Sequence, residues 1–181
     1  MSYDYDTPHW LDKFEGKLDP SRKIVLSSAP IRGLRDTRHQ LKSTLKPTGL
    51  WYACGDAWLG WLDSEMAEWK DDVTHIYELY TAPLSPWSTN GPVTLLRTVR
   101  DIDEFTEDYG VKDPWDRGGV DWAAVAKDFP GGIEICPYQW ERRNTGNSLW
   151  YGGWDVASGC LWGPAGFRSV KLLGAKPGWS G

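Results

Sequence analysis

The residue types that could do chemistry are concentrated in three segments, two of which bear tryptophans. The first reads as an apolar strand that turns at a glycine into a tryptophan-rich helix. The second is a short strand that carries one carboxylate between two isoleucines, and the third is polar, contains glycine and is bracketed by tryptophans. Indole rings suit the stacking of a flat ligand. Together the segments indicate a ligand site, and they span residues 46–58, 132–138 and 154–162.

Basic residues are concentrated in one stretch of an otherwise acidic chain. Residues 21–46 contain seven bases and one acid, whereas the rest of the chain contains 13 bases and 24 acids. A local basic block suits a small, defined anion better than a long polyanion. The distribution therefore disfavours nonspecific nucleic-acid binding. A solvated basic face is the alternative interpretation.

The length of 181 residues predicts one domain, and the composition of 40% hydrophobic and 25% charged residues fits a soluble globular protein. We expect residues 1–20 to form an N-terminal arm that ends at a proline. Residues 21–175 are expected to form the single domain. The glycine-rich residues 176–181 are predicted to be a flexible tail that frays.

The sequence also bears on compartment and metals. No apolar stretch approaches the roughly 18 residues of a membrane span, and the acidic N-terminus lacks the apolar core of a signal peptide. The three cysteines include no CxxC pair and the three histidines stand far apart. These features predict free thiols, a cytoplasmic location and no metal site.

Hydrophobic periodicity and turn residues predict strands and helices that are interspersed without strict alternation, which favours an α+β fold. A capping box is predicted at Asp101 and Glu104, and helix caps are predicted at Asp56 and Asp121. A loop is predicted over 83–92. The predicted strands cover 23–29, 49–54, 73–80, 93–99, 133–136 and 170–173, and the predicted helices 34–45, 56–69, 101–110 and 122–129.

The strand Gly49-Leu50-Trp51-Tyr52-Ala53, followed by an aromatic helix, resembles the corresponding segment of ADP-ribosyltransferases of the poly(ADP-ribose) polymerase and diphtheria toxin branch. The longer pattern Lys-Pro-x-Gly-Leu-Trp, with the later Trp-Asp-x-x-Ser-Gly-Cys, is also similar to a family of small phage and bacterial proteins over residues 25–162. The first resemblance implies one α+β domain with short helices and a mixed, mostly antiparallel split sheet.

The same resemblance implies an NAD site with residues on three strands. A residue near the end of the first strand contacts the ribose, the second strand and its helix hold the nicotinamide, and a late strand supplies a carboxylate. Glu134 matches the catalytic carboxylate. The residues expected to bind NAD are Ser28, Arg32, Trp51, Tyr52, Trp58, Asp155 and Ser158.

The chemistry explains those residue types. Cleavage of the nicotinamide–ribose bond passes through an oxocarbenium-like state, whose positive charge a carboxylate stabilises. Flat aromatic walls hold the nicotinamide, and the basic block suits the pyrophosphate. The resemblance thus implies an NAD-dependent ADP-ribosyltransferase or NAD glycohydrolase that uses NAD as substrate, needs no metal and modifies a protein or nucleic-acid acceptor.

Each of these residues has a structural alternative. Glu134 alternates with isoleucines, as on the solvated side of an edge strand. Trp58 and Trp61 have the spacing of core residues on an amphipathic helix. Asp155 and Ser158 are residue types that cap turns.

Two other functions remain open at this point. The chain could be a non-enzymatic binding or inhibitor protein of a phage or mobile element, with a tryptophan-rich interface. Alternatively, tryptophan platforms and the acids Glu134 and Asp155 could hold a carbohydrate.

Overall fold

The computed structural model describes residues 8–112 and 118–179, and its largest element is an eight-stranded sheet. The strands are β1 (Lys23–Ser27), β2 (Leu50–Cys54), β3 (His75–Thr81), β4 (Leu84–Pro86), β5 (Val93–Leu96), β6 (Gly132–Ile135), β7 (Ser158–Leu161) and β8 (Phe167–Ala175). Their order across the sheet is β4-β5-β6-β7-β2-β1-β3-β8.

Strand pairing confirms a mixed, mostly antiparallel sheet. Among the described residues, β4/β5 and β5/β6 pair in parallel, and the other five neighbouring pairs are antiparallel. The eight strands form one sheet rather than the split sheet that the resemblance implied. With its few short helices, the chain is a single α+β domain, as the sequence predicted.

Within the described residues, three α-helices accompany the sheet: α1 (Ala57–Glu65), α2 (Val99–Tyr109) and α3 (Trp122–Asp128). Asp121 caps α3 as predicted, because its carboxylate accepts from the Ala124 amide at 3.0 Å. The capping box of α2 joins Thr98 and Asp101, one turn before the predicted pair. Asp56 makes no side-chain cap for α1 and accepts from the Gly16 amide instead. No helix in the described ranges is long and apolar enough to span a membrane.

Two sequence predictions about elements are wrong. Residues 34–45, all of which the structure describes, contain no helix. Leu41 and Leu45 are 66% and 48% exposed, so the helical spacing of the leucines had no core to cover. The second error concerns the loop predicted over 83–92, because β4 lies within it. β7, an interior strand between β6 and β2, was not predicted.

The register across β6, β7 and β2 gives the sheet two different faces. Side chains alternate along a strand, and Trp51 is opposite Cys160 while Tyr52 is opposite Gly159 and thereby in line with Glu134. We call the side that bears Trp51 the tryptophan face and the side that bears Tyr52 the tyrosine face. The three α-helices pack on the tryptophan face, where four tryptophans are fully buried: Trp122, Trp150, Trp154 and Trp162.

Both ends of the described chain contact the domain. In the predicted arm, Leu11 and Leu18 are buried. The ammonium of Lys70 pairs with Asp12 and Glu15 at 2.9 Å, which fixes this segment to the body of the protein. In the predicted tail, the Trp179 ring lies 4.2 Å from that of His75. The remainder of both predictions lies outside the described residues.

Candidate functional site

A cavity of about 530 Å³ opens on the tryptophan face beside β1, β2, β7 and α1. This volume is within the roughly 300–1,000 Å³ of small-molecule sites. The cavity is walled by indole rings, which give it the flat, apolar surfaces that a planar ligand needs. The five tryptophans are Trp51, Trp58, Trp61, Trp69 and Trp154.

The turn between β2 and α1 brings these rings together. Gly55 has φ of +63°, and a Cβ at this position would lie 2.7 Å from the Leu18 carbonyl oxygen, so glycine is required. Because α1 starts directly after this turn, Trp58 reaches the same cavity as Trp51. Trp51 also meets Trp154 edge-to-face, with ring centroids 4.8 Å apart.

Polar groups stand at the cavity among these rings. Ser28 lies just after the end of β1, and Ser158 begins β7, where its hydroxyl donates to the Val156 carbonyl at 2.9 Å. The Asp155 carboxylate lies 3.5 Å from Lys46 Nζ and 3.8 Å from Arg143 Nη2, and its side chain is 32% exposed. A ligand in the cavity could therefore contact both a carboxylate and a positively charged side chain.

One buried donor at the cavity lacks a partner. Trp154 is fully buried, yet its indole Nε1 has no hydrogen-bond acceptor in the described part of the protein. By contrast, Trp150 donates to Thr106 Oγ1 at 3.0 Å and Trp162 donates to the Phe129 carbonyl at 2.8 Å. A buried donor without a partner costs about 1–3 kcal/mol. Since Trp154 is also a wall of the cavity, its N–H is a candidate contact for a ligand.

Glu134 belongs to a closed polar cluster on the tyrosine face. Its Oε2 accepts from the Tyr52 hydroxyl at 2.8 Å and lies 3.1 Å from Lys23 Nζ. Gly159 of the intervening strand makes this contact possible, because a Cβ there would lie 2.3 Å from Tyr52 Cζ. β6 is an interior strand and Glu134 is only 5% exposed, so the edge-strand interpretation of Glu134 is wrong.

The same face carries two thiols. All three cysteines are free, as predicted. The Cys54 thiol donates to Cys136, and this hydrogen bond together with burial raises the pKa of Cys54, while the same hydrogen bond lowers the pKa of Cys136. Burial, followed by the Glu134 carboxylate, raises the pKa of Tyr52 well above its usual value. Tyr52 consequently remains a neutral donor to Glu134.

The structure divides the predicted site residues between two places. Those that line the cavity are Ser28, Trp51, Trp58, Asp155 and Ser158. Glu134 and the fully buried Tyr52 lie on the other face, and the exposed Arg32 is not among the cavity residues. The sequence prediction therefore combined residues that alternate on opposite sides of the sheet.

The basic block does not form one patch. Arg22 pairs with Glu78 at 2.8 Å, and the partly buried Lys23 pairs with Glu134. Of the seven bases, Lys46 is the one that lines the cavity, with Nζ 5.4 Å from the Trp51 ring centroid. The prediction missed Lys46 and Trp154 as site residues, although both stand in the motifs that carried the resemblance, Lys-Pro-x-Gly-Leu-Trp and Trp-Asp-x-x-Ser-Gly-Cys.

Comparisons of the chain with protein-family models, with curated proteins and with solved structures find no match. The function is therefore inferred from the cavity and its residues.

Proposed function

We propose that the tryptophan-lined cavity binds NAD and that the protein is an NAD-dependent ADP-ribosyltransferase or NAD glycohydrolase with an ADP-ribosyltransferase-like fold. The observation that carries the proposal is the convergence of the predicted ligand contacts. Five residues expected to contact NAD come from three distant segments, and all five line one cavity of suitable size: Ser28, Trp51, Trp58, Asp155 and Ser158.

The cavity suits the nicotinamide end of the ligand. Trp51 and Trp58 offer flat walls for a planar ring. The unpaired N–H of Trp154 is a donor that a carboxamide oxygen would satisfy, which removes the cost of burying it alone. The three strands that border the cavity, β1, β2 and β7, supply one set of contacts each, in keeping with the three-strand site that the resemblance implies.

The carboxylates at this cavity are Asp155 and the exposed Asp72, and Glu134 is not among them. We assign the catalytic role to Asp155, which lies between the cavity residues Trp154 and Ser158 in the chain. In the proposed reaction, the bond between the anomeric carbon and the nicotinamide nitrogen breaks, and nicotinamide leaves with the electron pair. The Asp155 carboxylate stabilises the positive charge that develops on the ribose. Water, or an acceptor group of a protein or nucleic acid, then bonds to the anomeric carbon and loses a proton. Lys46 and Arg143, which flank Asp155, are the bases placed to meet the pyrophosphate.

A binding protein without catalysis is the second candidate. Trp69, which lines the cavity, is 52% exposed, and large exposed aromatic side chains are typical of protein interfaces. In that case the cavity would hold a side chain of a partner, and NAD would be neither bound nor cleaved.

Nicotinamide release from NAD is the direct test, and it needs no knowledge of the acceptor. Wild-type protein should release nicotinamide, and Asp155→Asn should lower the rate by at least about 100-fold, because the developing charge loses its carboxylate. Glu141→Gln is the matched control, since Glu141 is an exposed acid that does not line the cavity.

The Glu134→Gln variant tests which of the two carboxylates, Glu134 or Asp155, is needed for the reaction. We expect it to lower stability but to leave the rate per folded molecule within a few-fold of wild type, because Glu134 faces away from the cavity. A rate that collapses in Glu134→Gln and survives in Asp155→Asn would overturn the assignment of Asp155. A wild-type protein that neither binds nor cleaves NAD would overturn the proposed function.

A further inference from the structure

Three potential metal ligands meet on the tyrosine face, away from the tryptophan-lined cavity. The sulfur atoms of Cys54 and Cys136 and a carboxylate oxygen of Glu134 all lie within 4.8 Å of one another. Cys54 and Glu134 are buried, and Cys136 is partly exposed. Glu134 and Cys136 are two residues apart, whereas Cys54 belongs to a distant segment, so the three do not form the local spacing by which a metal motif is recognised.

The sheet topology explains how the ligands converge and what the two thiols can do. β2 and β6 each pair with β7 and not with each other. Strands two apart in a sheet are separated by roughly 9–10 Å, whereas a disulfide needs Cα atoms within about 7 Å. Cys54 ends β2 and Cys136 directly follows β6, so this strand spacing favours thiols that stay separate over a direct S–S bond. An atom bound between the sulfurs fits this spacing better.

The charges of the three ligands, and the contacts that Glu134 makes with its neighbours, also fit a bound cation. Two thiolates and one carboxylate carry three negative charges, and the Lys23 ammonium with a divalent cation would neutralise them. Tyr52 and Lys23 both contact Oε2 of Glu134, which leaves Oε1 for the metal. Such contacts orient a ligating carboxylate.

A second cluster of potential ligands, Asp12, Glu15 and Asp63, differs from this one. The Lys70 ammonium contacts all three of its carboxylates and occupies the place that a cation would take. In the thiol cluster, the ion pair of Lys23 is with one oxygen of Glu134, whereas Lys70 pairs with all three carboxylates of its cluster.

We propose that Cys54, Cys136 and Glu134 bind a thiophilic divalent cation such as Zn²⁺, with water in a fourth position. Two thiolates and a carboxylate are ligands that Zn²⁺ takes in tetrahedral sites, with Zn–S distances of about 2.3 Å and Zn–O distances of about 2.0–2.2 Å. The partly exposed Cys136 gives the ion a route from solvent. The proposal departs from the sequence prediction of no metal, because the topology unites ligands that the sequence separates.

Cobalt titration of the reduced, full-length protein tests the site. We expect one equivalent of Co²⁺ to produce the near-ultraviolet charge-transfer band of cobalt bound to thiolate, and Zn²⁺ to abolish the band by displacing Co²⁺. Cys54→Ala and Cys136→Ala should each lose the band. Cys160→Ala is the matched control, because Cys160 is buried on the tryptophan face and should leave the band unchanged.

Thermal unfolding with Zn²⁺ supplies a second measurement that also checks folding. Zn²⁺ should raise the Tm of wild type and of Cys160→Ala but not that of Cys136→Ala, because a ligand that binds only the folded state stabilises it. A wild-type protein with no band and no Tm shift would overturn the proposal, as would a band that survives in either Cys54→Ala or Cys136→Ala. These outcomes do not depend on NAD binding.

Discussion

The two faces of the central strands use neighbouring residues in opposite ways. On the tryptophan face, Trp51 and Ser158 line an open cavity beside an indole N–H that has no partner in the described structure. On the tyrosine face, the next residues along the same strands, Tyr52 and Gly159, close around Glu134, and its Oε2 is contacted by two donors.

This difference shows that a residue of the right chemical type is not always accessible to a ligand. Glu134 has the type expected of a catalytic carboxylate, but it is buried and engaged by Tyr52 and Lys23. Asp155 is held less tightly and stands at the cavity. Because side chains alternate along a strand, a shift of one residue moves a group from the cavity to the closed cluster. We therefore propose that one face binds the ligand and that the other, without a bound metal, stabilises the fold.

The largest expected effect comes from removing the carboxylate of the closed cluster. Glu134→Ala leaves the Lys23 ammonium, whose side chain is 16% exposed, and the buried Tyr52 hydroxyl without their partner, which should lower the free energy of unfolding by about 3–5 kcal/mol. Asp155→Ala, whose contacts are partly exposed, should cost no more than about 1 kcal/mol. Denaturant unfolding measures both. Equal losses in the two variants would show that the faces do not differ as described.

Gly159→Ala tests the closure of the tyrosine face from the intervening strand. The added methyl would overlap the Tyr52 ring and approach the Ile133 carbonyl oxygen at 2.8 Å, so we expect a loss of about 1–3 kcal/mol. Gly60→Ala in α1 is the matched control. No described atom lies within 4 Å of its added methyl, and the change should stabilise the helix by up to about 1 kcal/mol. A neutral Gly159→Ala would argue against close packing at this point.

Three buried tryptophans on the tryptophan face allow a test of whether the Trp154 N–H is unpaired. Replacement by phenylalanine removes a satisfied N–H at Trp150 and Trp162 but an unsatisfied one at Trp154. The lost ring volume is the same, so Trp154→Phe should cost about 1–3 kcal/mol less than the other two replacements. It should also weaken NAD binding. If all three variants lose equal stability, the Trp154 N–H is satisfied in solution and is not reserved for a ligand.

The smallest effect concerns Glu78, which provides a reference for a partly exposed ion pair. The hydrogen bonds from Arg22 lower the pKa of Glu78 in the folded protein. Its contribution to stability is therefore complete above the unfolded pKa, near 4.3, and is lost as the pH falls through the lower folded value. Glu78→Gln should remove this part of the acid destabilisation, by no more than about 1 kcal/mol. Unfolding curves of both proteins between pH 3 and 7 measure it, and identical pH slopes would contradict the shift.

The sequence predicted the elements whose own residues form a recognisable apolar run or helix cap. The apolar runs of β1, β2 and β3 and the Asp121 cap of α3 were identified from local residues. β7 was missed, because Ser-Gly-Cys-Leu has little strand propensity and Gly159 is explained only by the tyrosine ring that crosses over it. Residues 34–45 had helical spacing but lie against other strands and loops without a helix.

The predicted site combined residues that the structure separates, and the reason is physical. Five of the expected ligand contacts line one cavity, whereas Tyr52 and Glu134 lie on the other face of the sheet. Alternation shows that neighbours point to opposite sides but not which side holds the cavity. That distinction depends on where the helices pack, which no local pattern specifies.

Calorimetric titration of NAD into the wild-type protein tests the central claim most directly. We predict that NAD binds and that Trp58→Ala weakens binding about tenfold or more, because the ligand loses a stacking wall. Trp140→Ala is the matched control, since Trp140 is 67% exposed and does not line the cavity, and its binding should equal that of wild type. An absence of binding to wild type, or an equal affinity of Trp58→Ala and wild type, would contradict a ligand site on the tryptophan face.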